Sequence, residues 1–392
     1  MTTLTGSRPP LALLVFGSVL SSTLLIPGLR PYMAHWAPGS ESAVHAFLAL
    51  GLLGAVAVSP FVGKLARTLR SSARLATVAA MLDAVLLGGL ALGGDVRLLF
   101  ALRIAQGALN LTVLSVLLGA APAGDRNRVG SQYGLLGAAI MLGVALGAPL
   151  GTVCLRFGVT GPIVTGAFVE LSVALLIPYA KLEEPSRLAR TVPLAALPWL
   201  PMLWVFAERL AVGLFVVTFA LHAKECLMLT DAGYGAAISA FMVPFVLAVY
   251  PAGRLSDRFG APFVASLALG LYGSCWIALA GAGQTLVLPM MLLLGVASAA
   301  IFAAGLRESA TSRDVTLRIA SMSALNSAGS LGMLVGTASA GILSAVLRSY
   351  GAESDAVHEL IFRIAGVAEL AAAFGTITVV LVLQRATRLV RS

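Results

Sequence analysis

The chain has 392 residues, of which 59% are hydrophobic and only 11% charged, and its formal net charge is +9. A soluble domain of that size carries charge on about a quarter of its residues, so this composition excludes a soluble fold and predicts a polytopic membrane protein. Its three cysteines (Cys154, Cys226, Cys275) are odd in number, and its four histidines (His35, His45, His222, His358) are scattered, so no disulfide framework, metal-ligand spacing or cofactor is expected.

A bilayer core needs about 20 apolar residues per helix. On that criterion the chain predicts twelve spans, at 11–34, 43–63, 75–94, 98–120, 131–153, 160–180, 198–221, 233–253, 262–282, 285–306, 319–347 and 357–384. Continuous apolar runs exclude barrel strands, whose residues alternate, and leave helices. Arg8 before the first run gives it the look of a signal peptide. The run is long and no small-residue cleavage site follows, so it reads as a helix.

Lys and Arg then set the expected orientation. With the N-terminus cytoplasmic, the inner segments carry Arg8; Lys64, Arg67, Arg70 and Arg74; Arg126 and Arg128; Lys181, Arg187 and Arg190; Arg254 and Arg258; Arg307, Arg313 and Arg318; and Arg385, Arg388 and Arg391. The outer segments hold only Arg30, Arg97, Arg156, Lys224 and Arg348. Both termini are therefore expected inside, and the basic balance reads as a topology signal with some attraction to anionic lipid, without nucleic acid.

KLEEPSRLARTVP, Lys181 to Pro193, is the longest polar connection and divides the chain near its middle. Shifting one half by about 190 residues lays Ser59–Ala66 (SPFVGKLA) over Tyr250–Asp257 (YPAGRLSD), and Leu142–Gly151 (LGVALGAPLG) over Leu331–Gly341 (LGMLVGTASAG). Two parallel six-helix repeats are thus expected, residues 1–180 and 198–392, with a cytoplasmic linker at 181–197; transporters with a site at the repeat interface are built this way.

Three motifs carry a family resemblance. GRLSDRFG, Gly253 to Gly260, matches the G-x-x-x-D-R-x-G loop of the major facilitator superfamily, here between spans eight and nine. ALRIAQGAL in span four resembles its R-x-x-Q-G element through Arg103, Gln106 and Gly107. Gly134–Gly151 in span five resembles the glycine-proline motif of drug/proton antiporters, through Gly143, Gly147, Pro149 and Gly151, although Ala148 interrupts the usual Gly-Pro pair. The resemblance spans the whole chain and implies an all-α fold of twelve transmembrane helices in two pseudo-symmetric six-helix bundles. One copy of the loop departs from the pattern: in GKLARTLR, from Gly63, Arg67 stands where the acid is expected and Arg70 where the second glycine is expected.

Each motif has a physical reading. Asp257 is expected to face the positive N-terminal end of a neighbouring helix, and Arg258 to pair with acidic or carbonyl groups, in contacts that hold one access state and break in the other. Gly143, Gly147 and Gly151 share one helix face, as do Gly332 and Gly336 in span eleven, so that backbones approach closely.

A charge at a helix centre costs about 2.5–3.5 kcal/mol or more, which makes Asp83, Arg103, Glu170, Glu208, Arg209, Arg363 and Glu369 conspicuous. A desolvated carboxyl can load and release a proton as access alternates. Glu208 is the leading proton-coupling candidate, because the resemblance implies that span seven lines the central cavity; Arg103 matches a family residue implicated in proton handling. Asp83, Glu170 and Glu369 are further candidates with a structural ion pair or shielded hydrogen bond as the alternative reading. Arg209 follows Glu208 directly, and adjacent helical positions diverge by about 100°, so the two are not expected to meet. Asn110, Asn326, Arg209 and Tyr250 are candidate cavity residues, and Gln132 and Tyr133 further polar handles.

No nucleophile elbow, phosphate loop or paired catalytic His and Cys is present, so no enzyme is expected. The expected function is proton-coupled efflux of small amphipathic compounds by a monomer in the inner (plasma) membrane. An uptake symporter or uniporter for a small organic solute is the alternative within transport, and a non-transporting sensor or assembly partner the alternative outside it.

Overall fold

The computed structural model describes residues 10–122, 126–186 and 192–391. Arg8, Arg187 and Arg190, three of the charges assigned to the inner side, lie outside the described residues. Twelve helices long and apolar enough to cross a membrane are present among them. They are α1 (Leu11–Trp36, bent through a 3-10 turn at Ile26–Gly28), α2 (Glu41–Leu69), α3 (Ser72–Leu92), α4 (Val96–Gly119), α5 (Val129–Cys154) and α6 (Gly161–Leu176). After them come α7 (Trp199–Glu225), α8 (Asp231–Phe259), α9 (Ala261–Ala280), α10 (Gln284–Ser309), α11 (Val315–Ser349) and α12 (Ser354–Arg391).

The starts are set locally. Ser40, Ser71, Asp95 and Thr230 each turn a side-chain oxygen onto a first-turn amide, as N-caps do. Several helices outrun the hydrocarbon. At 1.5 Å per residue the 29 residues of α8 extend about 43 Å against a core of about 30 Å. The sequence reading of Gly253–Gly260 as a turn is corrected accordingly: α8 continues through Phe259, and only Gly260, with φ 88°, leaves the helix. Asp257 and Arg258 therefore stand on the last helical turn rather than on a flexible loop. Residues 63–69 likewise belong to α2, which ends at Arg70 in the left-handed region (φ 53°).

The chain divides into two compact units. The first comprises 1–126, 138–197 and 309–327, and the second 127–137, 198–308 and 328–392. Two helices are thus split between units: α5 begins in the second and continues in the first, while α11 begins in the first and continues in the second.

In the first unit α4 packs along α2 and α3, and α6 packs on α1 and α3. Glycines set the closest approach: a Cβ on Gly54 would lie 1.9 Å from Ile104 O, and one on Gly107 1.9 Å from Gly51 O. The glycine of the R-x-x-Q-G element is thus a helix-crossing residue. In the second unit α12 packs on α9 and α7 around Trp204, Tyr272, Trp276 and Phe362, all fully buried. Large apolar side chains such as Val85, Phe168, Leu247 and Phe374 point outward, as lipid-facing residues do.

Candidate functional site

The first unit buries a polar cluster among α1, α3, α4 and α6. Asp83 and Glu170 are both 0% exposed and close enough to act on one another electrostatically. Ser21 Oγ donates to Glu170 Oε2 at 2.7 Å, and Ser18 Oγ to Glu170 Oε1 at 3.4 Å. Asn110 Nδ2 donates to Ser18 O (3.2 Å) and to Asp83 Oδ2 (3.5 Å). About two helical turns before Asn110, Arg103 donates to Gln106 Oε1 and, through Nε, to Phe47 O at 3.4 Å. The fold thus brings Asp83, Arg103, Gln106, Asn110 and Glu170 into one network, with Ser18 and Ser21 as members that the sequence reading did not single out.

The second unit has a counterpart among α7, α9, α10 and α12. Glu208 and Glu369 are both 0% exposed, and the side chain of Tyr272 lies between helices in the same core. Ser298 Oγ donates to Glu208 Oε1, and Arg209 Nε stands 3.1 Å from Glu208 Oε2. That contact corrects the expectation that adjacent helical residues diverge too far to meet. The rule describes Cβ directions, and the long Arg209 side chain folds back far enough to pair, with its guanidinium 5.8 Å from the Phe302 ring centre. Neither Glu369 carboxylate oxygen has a hydrogen-bond partner among the described residues. Arg363, on the same helix, is exposed and pairs with Glu359 one turn earlier at 2.9 Å.

Two helix starts are tied down by charged side chains. At the head of α5, Gly130 N donates to Asp257 Oδ1 at 2.6 Å, and Ser131 N and Oγ both donate to Asp257 Oδ2 at 2.8 Å. An acid on the end of α8 therefore satisfies first-turn amides of another helix and faces its positive dipole end. Gly253 makes the approach possible, since a Cβ there would lie 2.1 Å from Gly130 O. Among the described residues Arg258 has no ion pair, contrary to expectation. It is exposed and lies over the Phe259 ring at 5.2 Å, because the helix turns it away from the contact face.

At the head of α11 the polarity is reversed. Arg318, 2% exposed, donates through Nε to Gly119 O (2.9 Å) and through one terminal nitrogen to Ala121 O (3.2 Å) and to Glu183. Glu183 N donates to the carbonyl between them, Ala120 O, at 2.8 Å. Gly63 lies against the same helix start, its would-be Cβ 2.9 Å from Ala320 Cβ. Arg67 has no hydrogen bond or ion pair among the described residues. The sequence showed Arg318 only as an inner-side charge; the signal that could have found it is the missing acid at Arg67, which leaves α11 to be held by other means.

The glycine faces meet equivalent partners in the two units. Cβ atoms on Gly143 and Gly151 would fall 3.0 Å from Phe16 O and 2.2 Å from Leu24 O of α1. On Gly332 and Gly336 they would fall 2.4 Å from Phe206 O and 2.2 Å from Leu210 O of α7. Gly147 abuts Thr23, whose hydroxyl donates to Gly143 O at 3.0 Å. Pro149 sits inside α5 with its ring exposed. Phe16 and Phe206 are separated by the same shift of about 190 residues that aligned the two halves in sequence.

Residues 202–391 match the family model of the Major Facilitator Superfamily. Solved structures with this architecture cover nearly the whole chain. The human organic anion transporter TETRAN is 16% identical with a TM-score of 0.73, covering 93% of this chain and 97% of its own. A variant of the E. coli fucose:proton symporter FucP is 14% identical with a TM-score of 0.68 over 93% and 97%. A bacterial homologue of the iron transporter ferroportin in an outward-facing state is 15% identical with a TM-score of 0.65 over 94% and 99%. No curated protein is significantly similar in sequence. The fold is that of a major facilitator transporter.

In this multi-pass membrane protein the remaining sequence candidates are dispersed. Asn326 Nδ2 donates to Ser115 Oγ at 3.5 Å within the first unit, whereas Tyr250, 42% exposed, lies on the α8 face that meets Gly134. One group escaped the sequence reading altogether. His222 and Cys226 at the end of α7 meet His358 near the start of α12, with their potential ligand atoms all within 4.8 Å of one another. Burial and the neighbouring Asp355 push the Cys226 thiol up to about 12, so it is a protonated donor at neutral pH. The spacing of four between His222 and Cys226, which puts both on one helix face, was the available signal; the third member lies 132 residues away.

Proposed function

We propose that the transporter couples proton movement to export of small amphipathic compounds, drug-like or metabolic. The observation that carries this reading is Glu208, a wholly buried carboxyl on α7 held between the Ser298 hydroxyl and the Arg209 guanidinium. A carboxyl so placed has two stable arrangements, ionised against Arg209 or protonated with Ser298 as partner, and changing between them moves one proton. Asp83, Glu170, Glu369 and Arg103 stand second to it. The geometry of Asn110, engaged with Ser18 and Asp83, supports a role within this buried network; Asn326, Arg209 and Tyr250 remain the proposed cavity residues.

In this proposal the protein works as a monomer in the inner membrane with both termini cytoplasmic. Two bundles, 1–180 and 198–392, rock about a midplane cavity, joined by the linker at 181–197. Asp257 and Arg318 hold one access state, and their contacts break in the other. The glycine face of α5 favours export. One observation favours uptake, either symport or uniport, as a second reading: Ala148 replaces the glycine that precedes the proline in the exporter motif.

The test is transport in inverted vesicles with and without a proton gradient, followed by Glu208→Gln in proteoliposomes. We expect gradient-driven accumulation of amphipathic cargo in the inverted vesicles, and its loss in Glu208→Gln with the melting temperature preserved. Unchanged coupling in that variant would remove Glu208 as the carrier, and movement only in the opposite direction would replace export with uptake.

A further inference from the structure

We propose that His222, Cys226 and His358 form a binding site for a divalent transition-metal ion of zinc-like softness, and that the bound ion cross-links α7 to α12. His222 and Cys226 are four residues apart, so the helix presents both on one face. The end of α7 fixes the thiol: Cys226 N and Leu227 N both donate to His222 O at 3.0 Å, and Met228, with φ 49°, turns the chain away. His358 faces them from the first turns of α12, its Nδ1 3.4 Å from Cys226 Sγ.

The imidazoles are buried, His222 to 5% and His358 to 1% exposure. Both ring nitrogens of His222, and Nε2 of His358, have no hydrogen-bond partner among the described residues. A neutral polar cluster would leave those three nitrogens desolvated and unpaired, at a cost of about 1–3 kcal/mol each. A metal ion would take one lone pair from each ring. The His222 ring is held edge-on between Phe362 (5.2 Å) and His358 (5.6 Å), which limits its freedom before any ion arrives.

Distances suit an ion after small rotamer changes. Zinc bonds of about 2.0–2.3 Å put tetrahedral ligands about 3.3–3.8 Å apart, against the present 4.8 Å limit. One thiolate and two imidazoles select zinc-like ions over magnesium or calcium, which require oxygen ligands. Asp355 stands three residues before His358, and its negative charge acts on the Cys226 thiol, which favours a cation at this position. Binding would release the thiol proton to solvent as the ion–sulfur bond forms, since a coordinating thiol is deprotonated outright.

The test uses the full chain in detergent, stripped with chelator and titrated with Co²⁺ alone. One equivalent should produce the thiolate-to-cobalt charge-transfer band, and Zn²⁺ should displace it. Cys226→Ser should abolish the band, whereas a Cys154→Ser, Cys275→Ser double variant should keep it. His222→Ala and His358→Ala should each weaken Co²⁺ binding about tenfold or more. As a readout independent of colour, Zn²⁺ should raise the melting temperature of the unaltered protein and not of Cys226→Ser. A wild-type titration without the band, or a band that survives Cys226→Ser, overturns the proposal.

Discussion

The starts of α5 and α11 solve one mechanical problem with opposite charges. α5 has no acid in its first turn, and Asp257 of α8 accepts from its amides. α11 supplies its own acid, Asp314, whose carboxylate accepts from Thr316 N at 2.8 Å. That end thus has an acid of its own on a first-turn amide, and Arg67 carries no such role. α11 is held instead by Arg318, which reaches the other kind of helix terminus: the carbonyls of Gly119 and Ala121 at the end of α4, where positive charge is favourable. A repeat can therefore lose its signature residue and keep the attachment, provided another charge reaches a helix end of the right sign.

Breaking the Arg318 attachment should have the larger effect. Arg318→Met removes the guanidinium fork and leaves three carbonyls (Gly119, Ala121 and Ser312) and the Glu183 carboxylate without it. Because Arg318 is buried and Glu183 about one-third exposed, the loss should lie near the lower end of the range of about 3–5 kcal/mol for a broken buried pair. The measurement is thermal unfolding in detergent, where a clearly lowered midpoint is expected; a midpoint within error of the unaltered protein would show that the attachment is passive. Asp257→Ala should come next, at about 2–3 kcal/mol, because two first-turn amides and the Ser131 hydroxyl lose a charged acceptor. Asp257→Asn keeps one acceptor oxygen and should fall between. Equal destabilisation by Asn and Ala would mean that charge alone, rather than the paired amide contacts, carries the bond.

The two attachments were unequally legible in sequence. Asp257 stands in a glycine-framed pattern that has one physical use, so its partner type could be anticipated. Arg318 sits among other basic residues near a span end, where topology alone accounts for positive charge. The twelve spans were readable because bilayer thickness imposes a length on apolar runs; the extra turns of α8 were not, because charged residues end a hydropathy window without ending a helix. Glu208 was visible as a buried charge, whereas its contact with Arg209 depends on how far an arginine side chain folds back. The meeting of Asp83 with Glu170 and of His222 with His358 depends on tertiary packing between helices far apart in sequence.

Close approach offers a smaller test. Gly253→Ala places a methyl 2.1 Å from Gly130 O, so the α8 end and the α5 start must separate or tilt, at about 1–3 kcal/mol. Gly119→Ala makes the matching test on the other side, since its Cβ would lie 2.4 Å from Ile319 Cα. If each glycine serves its charged neighbour, Gly253→Ala should add little to Asp257→Ala, and the double variant should fall short of the sum. Full additivity would separate helix packing from the charge contact.

The least effect is expected where the two copies differ in backbone. α2 ends at Arg70 with φ 53° and ψ 19°, and α8 ends at Gly260 with φ 88° and ψ 140°. The first conformation is left-handed helical, which a side chain tolerates at about 1 kcal/mol; the second is open essentially to glycine alone. Arg70→Gly should therefore relieve that strain while giving back part of it to the freer unfolded chain, for a net change within about 1 kcal/mol. Thermal unfolding should show a shift of either sign too small to rival Asp257→Ala. A large loss would mean that the Arg70 side chain, rather than its backbone geometry, holds the end of α2. The first copy would then depend on two arginines, Arg70 and Arg318, where the second depends on one aspartate.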